Sequence, residues 1–357
     1  MSHAAAQRRA RGVALALVAA MIAALAVWHP LRVAVQTLLL LPALFPSAPF
    51  DPLALVTPPP TREQYAYAYA GGTVEADLYR PAGAGRHGAM MLLLGAGDLP
   101  RSDLAVHFAT ELARLGVLTL VPESSGMLSE RLTFDEVDAV RASLGLLRSQ
   151  PDVDAERIGL LGLSASGGVS IVAAAQPDLR DQVRFVNSFG SYDDASSLLV
   201  DVASRSIEVD GQVRSWEPEA RSVEVVSIAL ADATSDQAAS AVVDELTTGA
   251  PGRERARELV ARLPTATLAQ LRAISPSSVI GQLRAHLYLM HDVDDSFIPF
   301  TQSRDLVATA PGGVVQRYTE FSIFAHVVPD RPVAWQTFVP DLWRLFWHVH
   351  AVLLEVL

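Results

Sequence analysis

The chain has 357 residues, 50% hydrophobic and 19% charged, with 39 acidic against 28 basic side chains for a net charge of −11. This is too apolar for disorder and long enough for one large α/β domain with an insertion, and its acidity argues against a nucleic-acid partner, whose phosphates it would repel. Cys is absent and every basic residue is Arg, which removes disulfides, thiolate-held metal centres, cysteine nucleophiles, Schiff-base lysines and the P-loop lysine, while leaving the redox compartment open.

Residues 1–11 hold Arg8, Arg9 and Arg11, and Gly12 to Leu31 then run without a charge, matching the ~20 residues a helix needs to cross a bilayer. With only Arg32 close behind, the positive-inside bias puts residues 1–11 in the cytoplasm, makes 12–31 a single-pass anchor and sets the rest of the chain outside. The rival reading is a signal peptide whose cleavage releases a secreted domain. Its apolar core would run about 7–15 residues to a small-x-small site, whereas Val27, Trp28, His29 and Pro30 follow this run. A second uncharged run, Val33 to Phe50, is interrupted by Gln36, Pro42 and Pro46 and reads as a segment at the membrane interface or packed on the protein. Further prolines at 49, 52, 58, 59 and 60 make 32–60 an apolar, Pro-rich linker. The first 50 residues carry four Arg and no acid, so the remainder holds a net −15.

From residue 61 to 357 strands and helices alternate. Tyr65 to Ala70 and Thr73 to Tyr79 flank Gly71-Gly72 as a hairpin, and Met90 to Leu94 is a solid apolar run of the kind buried in a parallel sheet. A helix from Ser102 carries Leu104, Phe108, Leu112 and Leu115 on one face and leads to the strand Val117 to Val121. The next helix, with Phe134, Val137, Val140, Leu144 and Leu147, stops before Pro151. Ile158 to Leu163 is a buried strand, Val169 to Ala175 lies in a helix, and Phe185 to Ser188 begins another strand. Such alternation implies right-handed crossovers and a mostly parallel sheet flanked by helices. It lapses over about 193–282, where Ala238 to Leu246 and Glu254 to Leu263 have helical periodicity and no strong buried strand occurs; this reads as a helical cap. Leu287 to Met290, a helix near Gln302 to Thr309, the strand Val314 to Tyr318 and a final helix from Trp335 to Leu357 complete the sheet.

At the end of the strand Ile158 to Leu163 stands Gly162-Leu163-Ser164-Ala165-Ser166-Gly167-Gly168. A serine on a tight strand-to-helix turn needs neighbours without bulk two positions either side, because their Cα atoms nearly touch, and Gly162 and Ser166 meet that need for Ser164. The turn lifts the hydroxyl above the sheet, and the Ala165 amide at the helix N-terminus can stabilise an oxyanion. Ser166 is the minor alternative nucleophile. His291-Asp292-Val293-Asp294-Asp295 follows a later strand, and Phe324-Ala325-His326 the next one. Serine, carboxylate, histidine is the chain order of a nucleophile-elbow hydrolase.

On these residues the stretch of about 61–357 resembles the α/β-hydrolase superfamily, nearest to its esterase, dienelactone-hydrolase-like and prolyl-oligopeptidase-like branches. Asp154 through Ser164 resembles the family's nucleophile strand. Ile274-Ser275-Pro276 through Pro299 resembles the strand and loop written His-Gly-x-x-Asp-x-x-Val-Pro, which implies Asp295 as the acid, with Asp294 as runner-up and Asp292 in place of the family's Gly. The resemblance also implies an oxyanion hole from the backbone N–H groups of Ala96 and Ala165, with Leu94 where the family commonly has His. Together these imply a membrane-anchored serine hydrolase in which His326 takes the Ser164 proton, Asp295 orients the imidazole and water releases the acyl group, with no cofactor and no metal. The expected partners are a small-molecule ester or acyl substrate and the lipid bilayer. Ester hydrolysis is expected ahead of thioester or amide hydrolysis. A lipase or lysophospholipase, a serine peptidase, and a non-catalytic binding module on the same fold are the alternatives.

Remaining features read as structural. His348 and His350 point about 200° apart on a helix and pack beside Trp343 and Trp347. His107 is a surface or packing residue, and His291 closes a strand. Arg253, Arg255, Arg257 and Arg262 make a solvated helical face. Trp335, Trp343, Phe346 and Trp347 are assigned to core packing of the last helix, with contact to a membrane interface as the alternative.

Overall fold

A computed structural model describes residues 28–45, 48, 50–97, 102–230, 237–329 and 331–357. The predicted anchor, 12–31, lies outside the described residues except for its last four, and among the described residues no helix is long and apolar enough to cross a membrane.

The chain enters through α1 (His29–Leu40), a 3-10 turn (Leu41–Leu44) and α2 (Pro52–Val56). Residues 32–60, expected as a linker, are thus in part docked: Val33, Leu40 and Leu53 are buried among the side chains of one sheet face. The apolar run packs because its buried positions recur at helical spacing, giving α1 one face to the protein.

An eight-stranded sheet follows in the order β1-β2-β4-β3-β5-β6-β9-β10. The hairpin of β1 (Thr61–Tyr69) and β2 (Gly72–Arg80) is antiparallel and β2 pairs antiparallel with β4 (Leu118–Ser124). The pairings among β4, β3 (His87–Leu93), β5 (Val153–Leu163), β6 (Phe185–Phe189), β9 (His286–Asp292) and β10 (Val315–Phe321) are parallel. The crossovers are α3 (Asp103–Arg114), the short α4 (Ser125–Leu128), α5 (Asp135–Arg148), α6 (Ala165–Ala174) and, further along, α12 (Thr301–Thr309). One layer buries Val137, Leu144, Val169 and Ile171 of α5 and α6 against the sheet. The opposite layer joins α1, α3 and α13 (Trp335–Val356) through Val33, Leu112, Val352 and Leu353.

Between β6 and β9 rises the cap: α7 (Ala195–Ser204), α8 (Ala220–Leu230), α9 (Gln237–Thr248), α10 (Arg253–Ala261) and α11 (Thr265–Ala273), with a core of their own that includes Leu199, Leu230, Leu246 and Leu259. The cap is not wholly helical. Ser206–Val209 (β7) and Gln212–Ser215 (β8) form a separate hairpin around Asp210-Gly211, both at positive φ. Asp-Gly is the dipeptide that a two-residue type I′ turn demands, and this signal went unread beneath the helical pattern around it. Arg253 also departs from a solvated face: it is largely buried, 2.8 Å from Asp201, and donates to the Ser206 carbonyl.

The last helix is a second departure. Phe346 is buried, but Trp335, Trp343 and Trp347 are exposed on the outer side of α13. Helical spacing marks a shared face without saying what covers it.

Candidate active site

Ser164 occupies the single residue between β5 and α6 and has φ 56° and ψ −133°, a strained conformation for a residue with a side chain. The fold holds it there. Ser164 N donates to Phe189 O of β6 at 2.8 Å, and Gly167 N donates back to Ser164 O at 2.9 Å. A Cβ at Gly162 would lie 2.5 Å from Ser166 O and from Ser170 Oγ, so the turn tolerates no side chain there. Gly95 is constrained from the opposite side, since its Cβ would fall 2.9 Å from Ser164 Cβ.

His326 sits on the loop after β10, also at positive φ, with Ala325 N bonded to Val328 O. Its Nδ1 lies 2.6 Å from Asp295 Oδ2, its ring stacks on Phe297 at 4.8 Å, and its buried Nε2 makes no hydrogen bond. With Nδ1–H given to the carboxylate, the free lone pair is on Nε2. Asp295 is 2% exposed; its Oδ1 accepts from Phe297 N at 2.7 Å and Ile298 N at 3.1 Å. Burial alone would raise its pKa, but His326 and His291 hold it well below the ordinary carboxylate range.

The two acidic neighbours of Asp295 separate cleanly. Asp294 is half exposed and pairs with Arg331 at 2.9 Å, away from the imidazole. Asp292, in the place where the resemblance expects Gly, is fully buried: Oδ1 accepts from Asp294 N at 3.0 Å and Oδ2 from Phe324 N at 2.7 Å. It therefore ties the acid-bearing loop to the histidine-bearing loop, and burial pushes its pKa up to about 6. Neither this clamp nor the Phe297 platform was read from sequence. Asp in place of a turn glycine was the available signal for the first; for the second there was none.

Ser166 is buried and its hydroxyl is engaged. It is 3% exposed, and its hydroxyl donates to Leu94 O, fastening the start of the 94–97 loop to α6. His291 lies in its strand as expected, with Nδ1 at 2.7 Å from Ser303 Oγ and Nε2 at 2.8 Å from Ile298 O, but Nε2 also lies 3.3 Å from Asp295 Oδ2, so it supports the carboxylate as well as the strand. His348 is likewise a packing residue, buried between Thr319 Oγ1 and Asn187 Oδ1, and burial lowers its pKa to about 3. His350 stacks on Phe346. Among the described residues one group has the types and proximity of metal ligands, Asp51, His107 and Glu111, with one candidate atom each within 4.8 Å. Glu111 is already matched by Arg114 at 2.9 Å.

Ser164, His326, Ala96 and Ala165 line one cavity of about 480 Å³. Ala165 opens α6, where the first N–H groups of a helix lack an intrahelical acceptor. The roof comes from the cap and is mostly apolar, with Leu199, Val202, Val226, Leu271 and Ile274 among its side chains beside Arg221, Thr267 and Gln270. The arrangement is a serine on a strained backbone, an imidazole bonded to a buried carboxylate, and the first turn of α6, around a largely apolar chamber.

No protein-family model matches the chain, and no curated protein sequence does. Solved structures do resemble it. The 2,6-dihydroxy-pseudo-oxynicotine hydrolase superposes with a TM-score of 0.51 at 16% identity, covering 83% of this chain and 69% of that one. A dipeptidyl aminopeptidase IV candidate from Bacteroides ovatus gives 0.53 at 14% identity over 84% of this chain and 36% of its own length. Est1E from Butyrivibrio proteoclasticus gives 0.50 at 13%, covering 82% and 98%. The fold is that of the α/β-hydrolases.

Proposed function

We propose that the protein is a serine hydrolase of acyl esters, with Ser164 as nucleophile, His326 as general base and acid, Asp295 as the group that orients the imidazole, and the Ala96 and Ala165 N–H groups as oxyanion donors. The observation that carries this reading is the 2.6 Å contact of His326 Nδ1 with buried Asp295, which leaves Nε2 unbonded at the cavity that strained Ser164 also lines. Ser164 Oγ and Nε2 are not hydrogen-bonded to each other, a spacing common before substrate closes the site.

As Ser164 Oγ bonds to the acyl carbon, its proton moves to Nε2 and the carbonyl oxygen gathers negative charge beside the two amides. Collapse breaks the carbon–oxygen bond to the alcohol, which leaves with the proton from Nε2. Water then gives a proton to Nε2 as it attacks the acyl carbon, and the acid departs as Ser164 recovers its hydrogen. The apolar roof favours an aliphatic acyl group, and this supports esters over peptides. Hydrolysis of p-nitrophenyl esters of increasing chain length tests the reading: turnover that depends on His326 and improves from acetyl to medium chains supports it. Peptide-amide turnover without ester turnover would favour a peptidase, and binding without turnover a non-catalytic module.

We also propose that residues 12–31 tether the chain to a bilayer with the hydrolase domain outside the cytoplasm, on the strength of the uncharged run behind Arg8, Arg9 and Arg11. Protease added outside intact cells then degrades the domain; protection there would contradict the orientation.

A further inference from the structure

The chain has five tryptophans, and four of them are exposed on two neighbouring helices. Trp28 at the entrance to α1 is 61% exposed, and Trp335, Trp343 and Trp347 on α13 are 72%, 62% and 38% exposed. Val35 and Leu38 of α1 and Val339 and Leu354 of α13 are also exposed. The two helices pack against each other on one face of the sheet, and Ala34 of α1 and Leu41 and Leu44 of the following turn share one apolar cluster with Leu342, Leu345 and Val349 of α13, so their outer sides share one surface. A soluble surface seldom gathers large apolar side chains into one contiguous patch, and such a patch marks an interaction site.

The charge on this surface is as distinctive as its hydrophobicity. α1 contains Arg32 and no acid. On α13 both carboxylates face inward: Asp341 is buried against Ser322 N and Arg344, and Glu355 is buried against His286, Tyr288 and Arg184. A protein of net −11 therefore offers a face whose exposed charges on these helices are Arg32 and Arg344.

We propose that the α1–α13 face lies on the lipid–water interface of a bilayer, its tryptophans seated at headgroup depth and its two arginines toward the phosphates. Two observations select lipid over a second copy of the chain. First, α1 continues directly from the uncharged run that ends at Leu31, so any bilayer holding that run brings Trp28 and α1 to its surface, where tryptophans concentrate. Second, Arg344 is already matched by Asp341, and a two-fold copy would bring no exposed carboxylate of either helix to Arg32, whereas phosphate headgroups supply the opposite charge. The inference shares its membrane location with the tether of 12–31 and does not depend on catalysis.

Because the chain has no native Cys, a single introduced one can carry a spin label unambiguously. Leu38→Cys, Val339→Cys and Trp343→Cys report on the face, and Val213→Cys, 61% exposed on the cap hairpin, is the control. The full chain is reconstituted in phosphatidylcholine vesicles containing phosphatidylglycerol, and collisional relaxation by oxygen, which concentrates in lipid, is compared with that by a water-soluble nickel chelate. The expected result is a reversal: oxygen dominates at the three face positions and nickel at position 213. Nickel dominance at all four positions would overturn the proposal while leaving the tether intact. Spin–spin broadening at Trp343→Cys would overturn it in favour of a second copy, and failure of the chain to float with vesicles would overturn both face and tether. Ester turnover in the same samples reads the hydrolase assignment separately.

Discussion

The floor of the cavity and its cap are held together by different physics. The floor is made by backbone: strand ends, tight approaches at Gly95 and Gly162, and strained φ at Ser164 and His326, each held by main-chain hydrogen bonds. The cap is made by amphipathic helices around an aliphatic core, fastened at a few polar points. Arg253 pairs with buried Asp201, Tyr192 donates to Ile274 O at 2.9 Å, and Trp216 Nε1 donates to the Asp295 carbonyl at 2.8 Å. The electrostatics of the regions are opposed as well. Asp295 of the floor is held low by its histidines, while burial, Asp194 and Asp305 push Asp193 at the base of the cap up to about 7. Burial likewise pushes Asp201 up to about 6 against the pull of Arg253. The floor is built for a fixed charge and the cap for shape.

If that contrast and the proposed hydrolase chemistry hold, floor substitutions act on turnover and cap substitutions on stability and substrate range. The largest expected effect is Asp295→Asn, which keeps the shape but loses the carboxylate and costs roughly 10⁴-fold in kcat, as for a triad acid in general. Asp294→Asn, which alters only the Arg331 pair, leaves kcat within a few-fold. Arg253→Ala strands buried Asp201 and is expected to cost about 3–5 kcal/mol in urea unfolding, with kcat on a short ester largely retained.

The pH dependence sharpens the comparison next. A carboxyl whose folded pKa lies above its unfolded value of 3.8 contributes stability that is full below about pH 4 and lost as pH rises through the folded value. For Asp193 and Asp201 the loss is expected between about pH 4 and 7, and Asp193→Asn should flatten the fall of the thermal midpoint across that window. Asp295 has the opposite sign: its contribution is present above the ordinary carboxylate range and disappears only in strong acid. Smallest is Trp216→Phe, which removes one donor to the Asp295 carbonyl and should cost about 1 kcal/mol of stability with a few-fold change in kcat.

The floor was more legible in sequence than the cap or the outer face. Small residues around Ser164 and apolar strand runs follow from local steric rules, so the elbow and the parallel sheet could be read without knowing their neighbours. Asp295 and His326 were legible through motif order, and the structure brings them to 2.6 Å. The Asp292 clamp was hidden because its function lies in two amides, one of them 32 positions away at Phe324. The cap hairpin hid because two four-residue strands barely perturb a helical pattern. α13 misled for a more general reason: apolar periodicity identifies a face, but burial depends on what the rest of the chain sets against it.

The central claim, that Ser164 is the nucleophile, is tested most directly by labelling with a fluorophosphonate, which bonds covalently to an activated serine. The wild-type protein and Ser166→Ala are expected to be labelled, and Ser164→Ala and His326→Ala are not. Labelling that survives Ser164→Ala and vanishes in Ser166→Ala would contradict it.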